Sequence, residues 1–448
     1  MQLYQTSLVR FRQDLRVHDN TALILACANS QSIVPVFIFE SVILDQWPAQ
    51  DPRIWFIIDA ITQLDQQLRA RGSQLYVLYG DSTELIPQII QQHNIDTVYV
   101  NRSYGRWSMT RDMQICDSCR DQWVTMELCD DYLLVEPWAI EQRKVFSPYY
   151  RLRQQHLKRT AQSAPAHITT PDLPLTHRED IVDQLDAWPN LYRPIDYASQ
   201  ALQDFDLSKY VAKRNRVDVD GTSRLSPYTR FGIVSIRQVY EVMLTHSDGL
   251  TNKYIAELAR REFWQHIMHY FPETVDIEFQ ERKRNIAWIN DESQFEARCD
   301  GRTWYPMVDA AMIQLKQKNR MHGRARMLVA SFLTKHLLID RRRGEQHFAR
   351  YLIDYDRNVN IGNRQRSASV GADPKPLRIF SPIIQAQKFD PKAIYIKQYL
   401  PQLVDIPAKI LHDPITHQIP DYPAPIVDHI TAYRRAREAY RQSYDALE

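Results

Sequence analysis

Two short stretches of this chain carry the residue types from which a nucleotide site is made. Gly221-Thr222-Ser223-Arg224-Leu225-Ser226 sets a flexible glycine, three hydroxyls and an arginine in consecutive positions, and such donors can wrap a diphosphate from several sides. The same run also reads as an ordinary helix cap. Asp354-Tyr355-Asp356, followed by Asn360, gathers two carboxylates and an amide. Those groups can bind a metal, act as acid and base, hold ribose hydroxyls and an imide ring, or simply pair with neighbouring arginines. The arginine supply is local: from Lys316 to Arg366 thirteen Lys/Arg stand against four Asp/Glu, a surplus of nine in a chain whose net charge is only +2.

Other chemistry is thinly represented. Cys116-x-x-Cys119 is the one local cysteine pair among five cysteines, lies in polar sequence of helical type, and has no second pair to complete a metal site. His18, His266, His322 and His336 are scattered without metal spacing and read as structural, and no metal is expected. Eleven glycines and no G-x-x-x-x-G-K-[ST] run disfavour a P-loop. Charged residues at the N-terminus replace the apolar core of a signal peptide, and no apolar run reaches membrane-spanning length, so a cytoplasmic protein without membrane contact is expected.

The elements that must position these residues fall into two patterns. Leu3–Arg10, Ser32–Phe39, Leu75–Tyr79 and Thr97–Val100 read as strands, separated by amphipathic stretches at Thr21–Asn29, Ile54–Arg71 and Glu84–His93. That alternation predicts a parallel sheet flanked by helices. Prolines among Ser, Thr, His and Asp from Ala161 to Tyr197 read as a long surface connection. Beyond it, apolar residues recur at three- and four-residue spacing in Tyr254–Tyr270, Met307–Lys318, Ala325–Leu338, Gly344–Leu352 and Ile426–Leu447. The expected organisation is an α/β domain over residues 1–134, a connection over 135–200, and a larger all-α domain over 201–448.

The segments FRQDLRVHDNTAL (Phe11–Leu23), GTSRLSPYTRFG (Gly221–Gly232), ELARREFWQH (Glu257–His266), YPMVDAAMIQL (Tyr305–Leu315), MHGRARMLVASFLTKHLLID (Met321–Asp340) and RIFSPIIQAQKFD (Arg378–Asp390) occur together and in order. In these the chain resembles the photolyase and cryptochrome family, most closely the bacterial class that repairs cyclobutane pyrimidine dimers. The resemblance implies a photolyase-type α/β antenna domain followed by a helical domain holding FAD. It places Tyr210, Thr222, Ser223, Arg224, Leu225, Ser226, Arg261, Arg326, Asp354, Asp356 and Asn360 at flavin-contacting positions. Glu257, Arg260, Arg261, Met327 and Arg366 fall at the lesion pocket, with Glu257 and Asn360 the residues expected to act in catalysis. DNA containing pyrimidine dimers is the implied partner, met by the basic surplus, and a monomer is expected.

The chain departs from that pattern in one consistent way. Arginine stands at Arg10, Arg260, Arg298, Arg320, Arg341, Arg364 and Arg366 where the family has tryptophan. Arg341 and Arg364 occupy two of three electron-relay positions, with Trp288 surviving as the distal member. A guanidinium has no accessible one-electron oxidation, so photoreduction by that route is expected to fail, while repair persists if FAD is reduced chemically. Three explanations compete: a remodelled, wet cavity; gene decay; or a reassigned arginine codon that the native organism reads as tryptophan. The resemblance also makes a folate antenna doubtful near Trp107 and Ser108, and Gly323 replaces a usual asparagine. Trp47, Trp55, Trp138 and Trp304 are expected to pack. Alternative functions are a cryptochrome-type blue-light receptor and a nucleic-acid-binding relative that has lost photochemistry; the short tail after Asp390 weighs against the receptor.

Overall fold

Long β-branched runs at the start of the chain build a five-stranded sheet. The computed structural model describes residues 3–48, 51–177, 196–245, 253–374 and 377–445. Strands β1 (Tyr4–Phe11), β2 (Ser30–Glu40), β3 (Tyr76–Gly80), β4 (Thr97–Asn101) and β5 (Thr125–Cys129) lie in the order β3-β2-β1-β4-β5. Every pairing is parallel, with Leu8 opposite both Val34 and Val98. Helices cover the sheet, so its central strands read as nearly unbroken apolar runs, and Leu8, Val34, Val36, Val98 and Val100 are buried together. The intervening helices Thr21–Asn29, Pro52–Arg69 and Ser82–His93 start at Asn20, Asp51 and Asp81, whose side chains each accept a backbone N–H of the first turn. Helix Arg106–Asp121 and strand β5 complete the alternation beyond the elements the sequence pattern marked. Cys119 of that helix is packed in the sheet core, and burial pushes its thiol up to about 12, the behaviour of a structural cysteine.

The proline-rich connection is not free surface in its first part. Ile168 is buried and donates its N–H to the Arg71 carbonyl at 2.8 Å, and the Tyr76 hydroxyl donates to the Pro171 carbonyl at 2.9 Å. His177 bridges Tyr76 of β3 in antiparallel fashion. β3 is an edge strand, and extended proline-containing chain is well suited to cover such an edge. Residues 178–195 of the expected connection lie outside the described residues.

Packing divides the chain into two units that interleave along the sequence. The first comprises Met1–Ala139, His156–Phe205 and Ser223–Asn252; the second comprises Ile140–Gln155, Asp206–Thr222 and Lys253–Glu448. The second unit is helical. Its core gathers Met307, Val308, Ala311, Met312 and Leu315 of helix Pro306–Lys318 with Leu328, Val329, Phe332 and Leu333. The helix expected over Ala325–Leu338 is instead an α-helix at Gly323–Ser331 that widens into a π-turn at Phe332–His336. The extra residue in that turn keeps Thr334, Lys335 and His336 all buried.

Candidate flavin and DNA site

Asp354, Asp356 and Asn360 meet at the start of helix Arg357–Ser367. Its sequence, RNVNIGNRQRS, has too few apolar residues to announce a helix by periodicity. What starts it is Asp356, whose carboxylate accepts the Val359 N–H at 3.1 Å. Just before it, Arg326 holds Asp354 with Nη2 at 2.8 and 3.1 Å from the two carboxylate oxygens, a charge-assisted contact that fixes both side chains. Gln265 binds the helix twice: its Nε2 donates to Asp356 at 3.1 Å, and its Oε1 accepts from Asn358 Nδ2 at 2.7 Å. Asn360 donates to Glu345 at 3.3 Å, and the Tyr355 hydroxyl donates to the same carboxylate oxygen.

Glu257, Arg260, Arg261 and Trp264 follow one another at helical spacing along Lys253–Tyr270 and share a face. Trp264 runs into the Arg357–Ser367 helix at Gly362, where an added Cβ would lie 2.4 Å from the indole. Glu257 pairs with Arg214 at 3.0 Å, and the Arg214 guanidinium also lies over the Tyr210 ring at 5.1 Å. Tyr210 packs on Tyr254, and burial pushes its phenol up to about 12. Arg260 stacks on Phe146 at 3.8 Å. Arg260 and Arg366 reach the same carboxylate, Asp373, at 3.7 and 3.6 Å. Burial, then the Arg366 charge, lowers Arg260 to about 10. Met327 is half-buried beside Arg326, and Gly323 is exposed with nothing within 4 Å of an added Cβ.

The structure brings Tyr210, Glu257, Arg260, Arg261, Arg326, Met327, Asp354, Asp356, Asn360 and Arg366 into the helical unit, together with Thr222. Ser223, Arg224, Leu225 and Ser226 belong to the first unit. Arg224 takes a left-handed φ of 57°, and the helix Ser226–Arg230 follows. Its N-cap is Leu225 and no side chain caps it, so the helix-cap reading of this run is not what the structure uses. Gln265, Phe146, Asp373 and Glu345 were not marked by sequence reasoning. Gln265 alone had a signal, since it lies inside the ELARREFWQH segment; Phe146 and Asp373 act through partners far away in the chain, and Glu345 through Tyr355 and Asn360.

The seven arginines separate by partner. Arg10, in β1, meets Glu40 and lies 3.9 Å from Asp112. Arg341 reaches Glu278 at 3.2 Å, and Trp288 packs edge-on against Tyr440. Arg320 is half-buried. Arg298 and Arg364 are 0% and 5% exposed, and among the described residues no carboxylate lies within ion-pair distance of either.

A doubly wound parallel sheet joined to a helical unit with this Arg–Asp–Asn cluster has the architecture of the photolyase and cryptochrome flavoproteins. Residues 7–169 match the family model for DNA photolyase, and residues 254–442 match that for the FAD binding domain of DNA photolyase. The deoxyribodipyrimidine photo-lyase of Synechococcus is 35% identical over 97% of this chain and 96% of its own length. The archaeal photolyase from Sulfolobus tokodaii, solved with two FAD molecules, superposes with a TM-score of 0.90 at 31% identity, covering 98% of this chain and all of that one. The Synechocystis cryptochrome superposes at 0.86 with 26% identity, covering 98% of this chain and 100% of its own. The chain belongs to the DNA photolyase family. No described helix is long and apolar enough to cross a membrane.

Proposed function

We propose that this photolyase repairs cyclobutane pyrimidine dimers in DNA, as a cytoplasmic monomer, with FAD held by the helical unit and an indole relay that does not operate. The carrying observation is the pairing of Arg326 with Asp354 next to the helix that presents Asp356 and Asn360. Reduced FAD, when bound, supplies under light the electron that splits the cyclobutane ring. The protein's own groups fit that cofactor. Asp354, neutralised by Arg326, and Asp356, oriented by Gln265, offer acceptors to ribose hydroxyls and imide N–H. Asn360 offers both a donor and an acceptor to the ring. The hydroxyl of Thr222, with Arg261, serves the diphosphate, and Tyr210 closes the nucleotide end.

On the substrate side, Glu257 presents a carboxylate to base edges, held by Arg214, while Met327 supplies apolar contact. Arg260 and Arg366 replace stacking indoles with planar cations. A guanidinium recovers part of the base-stacking energy, about 1–3 kcal/mol per base for an aromatic. It also adds attraction for phosphate. Arg341 and Arg364 cannot lose an electron to an excited flavin, so light alone leaves bound FAD oxidised.

The test is a spectrum and a repair assay on the FAD-loaded protein. Illumination with a thiol bleaches the flavin band no faster than the same thiol does in the dark, whereas dithionite followed by light restores thymine-dimer oligonucleotides. The double variant R341W/R364W gains light-driven bleaching. Colourless protein after reconstitution, or no repair with pre-reduced cofactor, overturns the proposal. Asp354→Asn leaves Arg326 without its counter-charge and lowers FAD affinity by roughly ten- to a hundredfold, as a charged hydrogen bond of about 1.5–3 kcal/mol requires; fluorescence titration of the apoprotein measures it.

A further inference from the structure

Arg364 is a buried cation without a buried anion. Both of its terminal nitrogens lack a hydrogen-bond partner, and its guanidinium lies 3.5 Å over the Phe348 ring. Arg298 approaches the same ring at 5.6 Å and reaches no acid, only the Val329 carbonyl at a long 3.5 Å and the Cys299 sulfur at 3.9 Å. Arg298 and Arg326 both bear on Arg364 as like charges, and Glu345 is the one acid that offsets them. Glu345 is itself engaged by Tyr355 and Asn360. A ring face and one shared carboxylate do not replace the hydration of two guanidinium groups.

Position on the helix ties Arg364 to the Asp356–Asn360 face. Asp356, Asn360 and Arg364 stand four residues apart and so share one face of Arg357–Ser367. The first two are the residues that the proposed function assigns to the flavin, so Arg364 extends that face by one turn. We propose that Arg364 is the electrostatic partner of the reduced, negatively charged isoalloxazine, and that it biases bound FAD toward this form. The inference rests on the FAD reading above and goes beyond it, because it gives a purpose to a residue that the relay has lost.

The chemistry balances without light. A dithiol oxidised to a disulfide gives up two electrons and two protons; the flavin takes both electrons and one proton, and the other proton goes to solvent. The ring thereby passes from neutral to singly negative. A fixed cation beside it stabilises only the product of that step, and a low-dielectric surrounding makes the attraction large. The same charge that blocks photoreduction would favour thermal reduction.

Redox titration of the FAD-loaded protein tests this, with the flavin spectrum as readout and no repair assay involved. In R364Q the midpoint falls by about 30 mV or more, a tenfold loss of preference for the two-electron-reduced cofactor, while R364K stays within threefold of the parent. Midpoints of parent and R364Q that agree within twofold overturn the proposal. Should R364Q fail to fold, R298Q removes the neighbouring charge and lowers the preference about threefold; an unchanged R298Q midpoint likewise overturns it. A parent protein that takes up no FAD refutes the proposed function instead, so the two failures are distinguishable.

Discussion

Arg10 in the sheet unit and Arg364 in the helical unit are both buried arginines, yet their surroundings are opposite. Arg10 is 0% exposed but meets Glu40 and Asp112, with Arg111 and Arg12 bound to the same acids. Arg364 has an aromatic face and like charges for company. The first is a network in which every cation has an acid within the same unit, although Nε and Nη1 of Arg10 make no hydrogen bond, and it is scaffolding. The second is open, with Glu345 the one acid set against several cations, and the uncompensated charge costs the fold stability on the order of several kcal/mol. Burial lowers the affinity of both for their protons, so burial alone does not distinguish them; the partner set does.

The comparison breaks most directly at Glu40. Glu40→Ala leaves Arg10, Arg12 and Arg111 to share the single carboxylate of Asp112, and unfolding in urea should show a loss of roughly 3–5 kcal/mol, as for other buried pairs stripped of one member. Arg364→Leu runs the other way. Removing the unpaired charge, less the cation–π contact it makes, should stabilise the apoprotein by about 1–3 kcal/mol in thermal melts. A destabilised Arg364→Leu apoprotein would make the two arginines alike.

The smallest effect is a pH slope. His322, His336 and His347 all belong to the helical unit, and burial, the leading cause in each, lowers them to about 4, 3 and 3. They are neutral when folded and protonated when unfolded between those values and about 6.5, so the unfolded chain binds more protons in that window. Their contribution is present above pH 6.5 and is lost as pH falls toward about 4 for His322 and about 3 for His336 and His347. Each steepens the decline by up to about 1.4 kcal/mol per pH unit. His347→Leu should flatten the acid limb of a stability-versus-pH curve by one such share.

The sheet was legible because its strands are apolar on both faces and its helices begin at Asn20, Asp51 and Asp81, signals local enough to read from a few residues. Helix Arg357–Ser367 was not, because its apolar content is low and its stability comes from the Asp356 cap and the Gln265 clamp. The cluster of Asp354, Asp356 and Asn360 was legible because these residues lie within seven positions of one another, whereas the partners that hold it lie elsewhere in the chain. Asp373 stands more than one hundred residues after Arg260, and only folding makes it the acid that two arginines share. The widening at Phe332–His336 has no mark in the sequence at all.

The seam between Trp264 and Gly362 has a consequence for motion. With no side chain to spare on one helix and a rigid indole on the other, the pair cannot slide without opening a gap or a clash. Amides of residues 260–268 and 357–367 should therefore exchange with deuterium at one common rate, as a single cooperative block. A bulge introduced on either helix would be felt at once by the other, which keeps the Glu257–Arg260 face and the Asp356–Asn360 turn at a constant separation.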